Sequence, residues 1–297
     1  MTALDDALPS LRCPHCGGPL ARGGGAVACE RGHSFDVARQ GYLNLLAGTG
    51  PGHTGDTAEM VAARERFLTA GHFDPLARAL GELVAEALAA REGSVPGEGP
   101  APALIVDLGA GPGWYLGRLL ESVPGTASPT TGIALDVSKP ALRRAARAHP
   151  RVAAVACDAW RALPLRDGVA GVVLNVFAPR DGPELARVLA PGGVAAVVTP
   201  APSHLQEIAR PLGLLAVHDR KDERLAERLA PGLEVAGRRE LGWKLHLDRA
   251  TARDAAAMGP SAFHLFAADL DERVAALPES LEVTAAVTIT TATAPTR

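Results

Sequence analysis

Five short apolar runs recur through this chain, and they constrain its fold more than any other feature. They read ALIVDLG (103–109), GIALDVS (132–138), VAAVACD (152–158), GVVLNVF (171–177) and GGVAAVVTP (192–200). Helical segments fall between them, for example 139–148 and 182–190. Runs that are apolar without alternation suit strands buried on both faces. Such strands alternating with helices build a parallel, doubly wound sheet. The tail LEVTAAVTITTATA (281–294) is β-branched and alternating, which predicts a late antiparallel strand. At 297 residues, 47% hydrophobic and 21% charged, the chain has material for one large domain or two unequal ones. No stretch reaches the ~20 uninterrupted apolar residues of a membrane span. Met1 to Ser10 carries Asp5 and Asp6 and no basic leader. The expectation is therefore a cytoplasmic protein without a signal peptide or membrane contact.

Ahead of the sheet the composition changes twice. Residues 11–46 are rich in Cys and Gly, and AGTGPGHTGD (47–56) reads as a linker. A helix over about 57–70 follows, capped by Asp56 or Thr57 with Glu59 in its first turn. A second helix follows Asp74–Pro75, with Leu76, Leu80, Leu83, Val84 and Leu88 at helical spacing. It ends in REGSVPGEGPAP (91–102). The organisation predicted is a ribbon unit over 1–46, a linker and helical segment over 47–100, and a catalytic domain over 101–297.

Three of the four cysteines crowd the first thirty residues. Cys13 and Cys16 form a C-x2-C knuckle, and Cys29 and His33 form a second short-spaced pair. Two such pairs close a tetrahedral Zn2+ site, and four protein ligands leave no open position, so the metal is structural. So small a segment has too little core to fold alone, and ligation would supply the energy. His15 is a weaker fourth ligand. Cys157 stands apart, as a small apolar residue of a buried strand.

The first apolar run leads into VDLGAGPG, with Asp107, Gly109, Gly111 and Gly113 ahead of a helix. Glycines there let backbone approach a ligand at a strand end. Asp136 ends the second run, where an acid would hold ribose hydroxyls, and Asp158 ends the third, where it could meet an adenine amino group. Acids at three successive strand ends resemble a class I S-adenosylmethionine-dependent methyltransferase. The fold expected is α/β, Rossmann-like, with a mostly parallel sheet and an N-terminal zinc ribbon. A nicotinamide-binding Rossmann domain, or the same sheet without cofactor, is the alternative.

Longer phrases point further. They are HSFDVARQGYLNLL (33–46), GDTAEMVAARERFL (55–68), AGHFDPL (70–76), LDVSKPALRRAARAHPR (135–151), NVFAPR (175–180) and TPAPSHL (199–205). With the Cys/His spacing, the chain resembles the RlmA-type guanine-N1-methyltransferases of large-subunit ribosomal RNA, on their macrolide-resistance side. The resemblance implies a zinc ribbon that engages RNA and S-adenosylmethionine as methyl donor. It also implies a guanine in a 23S rRNA hairpin near the peptide exit tunnel, a role in antibiotic resistance, and a homodimer framing the hairpin. It assigns Phe73, Tyr115, Leu116 and His204 to the donor. Relatives often carry Tyr at the first of these; Phe73 keeps the stacking face without the hydroxyl.

Guanine N1 carries a proton at neutral pH, so methylation needs that proton removed and N1, methyl carbon and sulfur aligned. Asn175 and His204 are the tentative catalytic residues: Asn175 could read the base edge, Phe177 could stack, and His204, Asp158 or a water could take the proton. The net charge is −3, which excludes coating of nucleic acid through overall charge and leaves local basic sets. One is Arg12, Arg22, Arg31 and Arg39 in the ribbon. The other is Arg143, Arg147 and Arg151, recurring every four residues and hence on one helix face. Two other functions remain open from these residues: a small-molecule methyltransferase with an accessory ribbon, and a non-catalytic RNA-binding or ribosome-assembly protein.

Overall fold

The structure, a computed structural model, describes residues 2–46, 55–92, 103–123, 130–214, 221–230, 232–264 and 267–295. Residues 47–54 of the expected linker (47–56) and 93–102 of the expected Gly/Pro break (91–102) lie outside the described residues.

The chain opens with helix α1 (Ala3–Ala7), then strands β1 (Leu20–Gly23), β2 (Ala26–Cys29) and β3 (Ser34–Asp36), which form an antiparallel ribbon. A two-residue strand, β4 (Leu43–Asn44), leaves the ribbon. Helices α2 (Ala58–Thr69) and α3 (Asp74–Glu92) follow, the first capped by the Thr57 hydroxyl, which accepts from the Met60 N–H. The alternating part runs β5 (Leu104–Leu108), α4 (Trp114–Ser122), β6 (Thr131–Asp136), α5 (Lys139–Ala145), β7 (Val152–Ala156), β8 (Ala170–Val176), α6 (Gly182–Val188) and β9 (Leu189–Pro200). Then come α7 (Gln206–Leu212), α8 (Lys221–Leu229), β10 (Glu234–Asp248), α9 (Arg249–Ala257), α10 (Ala267–Ala275) and β11 (Ser280–Thr293).

Eight strands form one sheet in the order β10-β11-β9-β8-β5-β6-β7-β4. The pairs from β9 to β4 are parallel, and β11 runs antiparallel between β9 and β10. All five apolar runs are strands, and the tail is the expected antiparallel one. Chain order reverses between β5 and β8, and ligands in doubly wound sheets bind outside the carboxyl ends at such a switch point.

Each face of the sheet carries its own apolar layer. On β5, Ile105 joins the layer of Leu76, Leu80 and Leu119, while Leu104, Val106 and Leu108 join the other, as the two-residue period of a strand requires. The second layer contains Leu4, Leu11, Val27 and Phe35, so the ribbon rests directly on the sheet. Its strand β4 pairs with β7 at Leu43–Val155 and Asn44–Ala156 and forms the sheet edge.

Strand β10 is not among the expected elements. Its signal is the alternation Leu241, Trp243, Leu245, Leu247, masked by the surrounding charge at Arg238, Arg239, Glu240 and Lys244. It pairs with β11 through nearly its whole length.

Gly113 fixes where α4 starts. It has φ of 76°, and a Cβ there would lie 3.0 Å from both Cα and Cβ of Ala145 on α5. Gly113→Ala should therefore cost about 1–3 kcal/mol, read as a lower urea midpoint; an unchanged midpoint would show that α4 and α5 can separate without loss.

Candidate functional site

Two tight turns bring the ribbon's four metal-type side chains together. The Gly17 N–H donates to the Cys13 carbonyl at 2.8 Å, and the Gly32 N–H to the Cys29 carbonyl at 2.9 Å. The ligand atoms of Cys13, Cys16, Cys29 and His33 all lie within 4.8 Å of one another. Cys16 Sγ is 3.7 Å from Cys29 Sγ, and His33 Nδ1 is 3.5 Å from Cys13 Sγ and 3.3 Å from Cys29 Sγ. A tetrahedron with Zn–S near ~2.3 Å and Zn–N near ~2.05 Å has S–S edges of about 3.8 Å and S–N edges of about 3.5 Å. The four residues fit a structural Zn2+ in both edge length and donor type. Desolvation opposes ionisation of Cys29, but the His33 backbone and ring outweigh it and bring the thiol down to about 6, toward the thiolate a metal needs. His15 is outside the set, its ring nearly parallel to Phe35 at 5.8 Å. Cys157 is buried at the end of β7, and burial first, then Asp136 and Asp158, push its thiol up.

At the switch point lies a cavity of about 1000 Å3. Its floor is the turn after β5. Gly109 and Gly111 have φ of 74° and 55°, a region that favours glycine. A Cβ on Gly109 would strike Ala178, and one on Gly111 would come 3.2 Å from the Arg64 guanidinium. Asp107 also lines the cavity, almost fully buried, and its Oδ2 has no hydrogen-bond partner among the described residues. Burial, then the charge of Asp136, push this carboxyl up to about 7. An unused acceptor that is so buried suits a cationic donor. Asp136 accepts from the Gly111 and Ser138 N–H groups, each at 2.8 Å. Burial raises its carboxyl despite those bonds. Asp158 accepts from the Trp160 N–H at 3.0 Å.

Three acids on neighbouring strand ends thus share one cavity with a glycine cradle. In type the lining fits S-adenosylmethionine: carboxylates for an ammonium and for ribose hydroxyls, a glycine turn for close backbone approach, and an indole at Trp160 for a purine. Phe73 and Tyr115 also line the cavity. Gly113 and Leu116 are outside its lining; Leu116 is fully buried beneath β6, where Gly132 makes room for it.

An aromatic group stands at the mouth. Phe177 has φ of 54° and is 43% exposed, an uncommon backbone state for a bulky residue. Its ring lies 6.3 Å from Phe73 and 5.7 Å from His204. His204 Nδ1 accepts from the Ala286 N–H at 3.2 Å, so the proton of the neutral ring is on Nε2. That tautomer leaves no ring nitrogen to take a proton from a substrate. Asn175 is wholly buried rather than in the cavity. Its Nδ2 donates to the Leu108 and Pro179 carbonyls at 3.2 and 2.9 Å, and its Oδ1 accepts from Arg180 at 3.0 Å. Asn175 is therefore a positioning residue that holds the turn bearing Phe177.

The basic sets divide in the same way. Arg12 donates to the Leu163 carbonyl at 3.4 Å, and Arg22 pairs with Asp5 at 2.7 Å. Arg151 donates to the carbonyls of Leu120 and Thr130. These three brace the fold. Arg31, Arg39, Arg143 and Arg147 are exposed, with no ion-pair partner among the described residues. Arg143 and Arg147 line a groove of about 670 Å3 together with Arg118, Trp114 and the ribbon's Gln40. The groove shares Pro112 and Trp114 with the cavity.

Arg64, Trp160 and the segment Met258–Ser261 also line the cavity and were missed in the sequence. Trp160 had one signal, an aromatic just past a strand-end acid. Arg64 and Met258–Ser261 had none, because they reach the site from outside the alternating strands.

A family model described as RlmA, N-terminal, matches residues 11–48, and one described as a methyltransferase domain matches 105–193. The chain is 52% identical over 289 residues to a protein of Micromonospora griseorubida provisionally named a 23S rRNA (guanine-N(1)-)-methyltransferase, covering 95% of this chain and 96% of that protein. It is 48% identical over 280 residues to the 23S rRNA (guanine(748)-N(1))-methyltransferase of Streptomyces fradiae, covering 94% and 95%. A third relative, from Bacillus subtilis (strain 168), is 35% identical over 202 residues, 67% of each chain, and carries the same provisional activity. Among the described residues no helix is long and apolar enough to cross a membrane.

Asp107 gives a pH prediction. Its folded-state value of about 7 lies above the ordinary 3.8, so the ligand-free folded state holds the proton more tightly than the unfolded one. Stability is then lost as pH rises from about 4 to about 7. Across that window the urea midpoint of the natural chain should fall relative to that of Asp107→Asn; parallel pH profiles would remove the buried charge from the account.

Proposed function

The chain belongs to the 23S rRNA (guanine-N1)-methyltransferase family, and from that premise we propose that it transfers a methyl group from S-adenosylmethionine to N1 of a guanine in a 23S rRNA hairpin near the peptide exit tunnel. Macrolide resistance is the physiological consequence, and a homodimer framing the hairpin belongs to the same proposal. Relatives of 52% and 48% identity over nearly their whole length support the RNA substrate. The observation that carries the chemistry is one cavity with an unused buried carboxylate at its floor and an exposed, left-handed Phe177 at its mouth.

When bound, S-adenosylmethionine supplies a methyl carbon on a positively charged sulfur. The chain's own residues do the rest. Asp107, Asp136 and Asp158 fix the donor's three parts, and the Gly109–Gly111 turn lets backbone approach it. Phe177 offers its face to a guanine taken out of its stack, with the rings of Phe73 and His204 beside it. Asn175 keeps that platform in place. N1 would take that methyl as its bond to sulfur breaks, and the N1 proton would leave to water at the mouth marked by the exposed Phe177. Positioning of donor and base by these residues would supply much of the rate.

For the RNA itself, Arg143 and Arg147 contact phosphates in the groove that joins the cavity at Trp114, and Arg31 and Arg39 do so on the ribbon. Such contacts set register without reading sequence.

Labelled S-adenosylmethionine with unmodified 23S rRNA should give one labelled guanine and a reverse-transcription stop there, because N1 methylation blocks pairing. No label in RNA despite donor binding would reject the proposal. Phe177→Ala should lower kcat/KM at least about 10-fold and leave S-adenosylhomocysteine affinity within about 2-fold; equal loss of both would make Phe177 part of the donor pocket instead. Arg143→Gln with Arg147→Gln should reduce the salt slope of RNA binding by roughly 0.7–0.9 per residue. An unchanged slope would make that helix face merely solvated.

A further inference from the structure

The cavity lining contains four carboxylates, at Asp56, Asp107, Asp136 and Asp158, and among the described residues one Arg or Lys, Arg64. Arg64 comes from α2, outside the sheet, and its side chain is about a quarter exposed. It pairs with Asp56 and donates from Nη2 to the Met258 carbonyl at 2.5 Å. Its Nη1 stands 3.2 Å from where a Cβ of Gly111 would be. The guanidinium therefore lies on the glycine turn, in the same lining as Asp107, and its charge acts on Asp136.

The methyl donor's amino-acid end carries an ammonium and a carboxylate on the same carbon. Asp107, with its unused Oδ2, suits the ammonium. The carboxylate enters a cavity already crowded with like charge, and burying it unpaired is costly. A planar fork with five N–H donors is the side chain best matched to a carboxylate. Asp56 and Met258 occupy part of that fork and leave further donors on it. We propose that Arg64 binds the α-carboxylate of the methyl donor and makes the site specific for a donor that has one. This rests on the cavity being the methyl-donor site. Through Met258 the same guanidinium ties the Gly259–Phe263 segment to α2, so a bound carboxylate braces both elements at once.

The test is calorimetric binding of S-adenosylhomocysteine and of its decarboxylated analogue, which keeps adenosine, sulfur and amine. The natural chain should favour S-adenosylhomocysteine by roughly 10- to 100-fold. In Arg64→Gln the two affinities should converge, with that of the decarboxylated analogue changed by less than about 3-fold. No preference in the natural chain, or a preference retained in Arg64→Gln, overturns the proposal. So does an equal loss for both ligands in a variant that melts as the natural chain does, because that marks a purely structural role. If Arg64→Gln does not fold, Arg64→Lys decides: a reduced preference supports the proposal and an unchanged one overturns it. If the natural chain binds neither ligand, it is the donor-site reading that fails, and this proposal with it.

Discussion

A buried carboxyl with one oxygen lacking a hydrogen-bond partner among the described residues is the constraint around which this molecule is arranged. Asp107 ends the central strand β5, and its Oδ2 has no bond among the described residues. No packing advantage accounts for it, since an apolar residue at that depth would cost nothing in desolvation. The surroundings are consistent with a site kept for a cation. The glycine turn above it takes left-handed dihedrals, leaving backbone rather than side chains over the acid. Asp136 is held by amides of that turn and of the turn after β6, which keeps a second carboxylate close and raises the demand for positive charge further.

The ribbon is coupled to the same arrangement. Its four ligands form a closed metal set, while Leu11, Val27 and Phe35 belong to one of the two apolar layers of the sheet. Arg12 and Arg22 spend their charge holding that junction, which leaves Arg31 and Arg39 for the solvent side. Helix α5 shows the same division, with Arg151 turned to backbone carbonyls and Arg143 and Arg147 left outward. A count of basic residues therefore overstates the surface offered to RNA, and spacing alone did not separate the two kinds.

Much of the site was legible because its chemistry is local in sequence. Cys13, Cys16, Cys29 and His33 are recognisable by spacing, since each pair occupies a single turn. Asp107, Asp136 and Asp158 are recognisable because each closes a buried strand, and parallel strands place their ends side by side. Legibility failed where geometry depends on distant elements. Arg64 arrives from α2 and Met258–Ser261 from beyond α9, so no periodicity marks them. Asn175 has the composition of a base reader, yet its amide is consumed by Leu108, Pro179 and Arg180. Phe177 closes an apolar run and is offered by the sequence as a stacking residue, and its reversed backbone is what turns it outward. Strand β10 was hidden because an edge strand with one wet face lacks the apolar run that marked the others.

The two-residue strand β4 has a further consequence. Among the described residues it is the strand that pairs with the outer edge of β7, at Val155 and Ala156, and it follows the segment that carries the four metal-type ligands. Without metal, a ribbon this small would lose the energy that holds it shaped, and β7 would then lose the strand paired at Val155 and Ala156. Such an edge is a template for another chain. Zinc held by Cys13, Cys16, Cys29 and His33 would then shield a sheet edge as well as shape the ribbon.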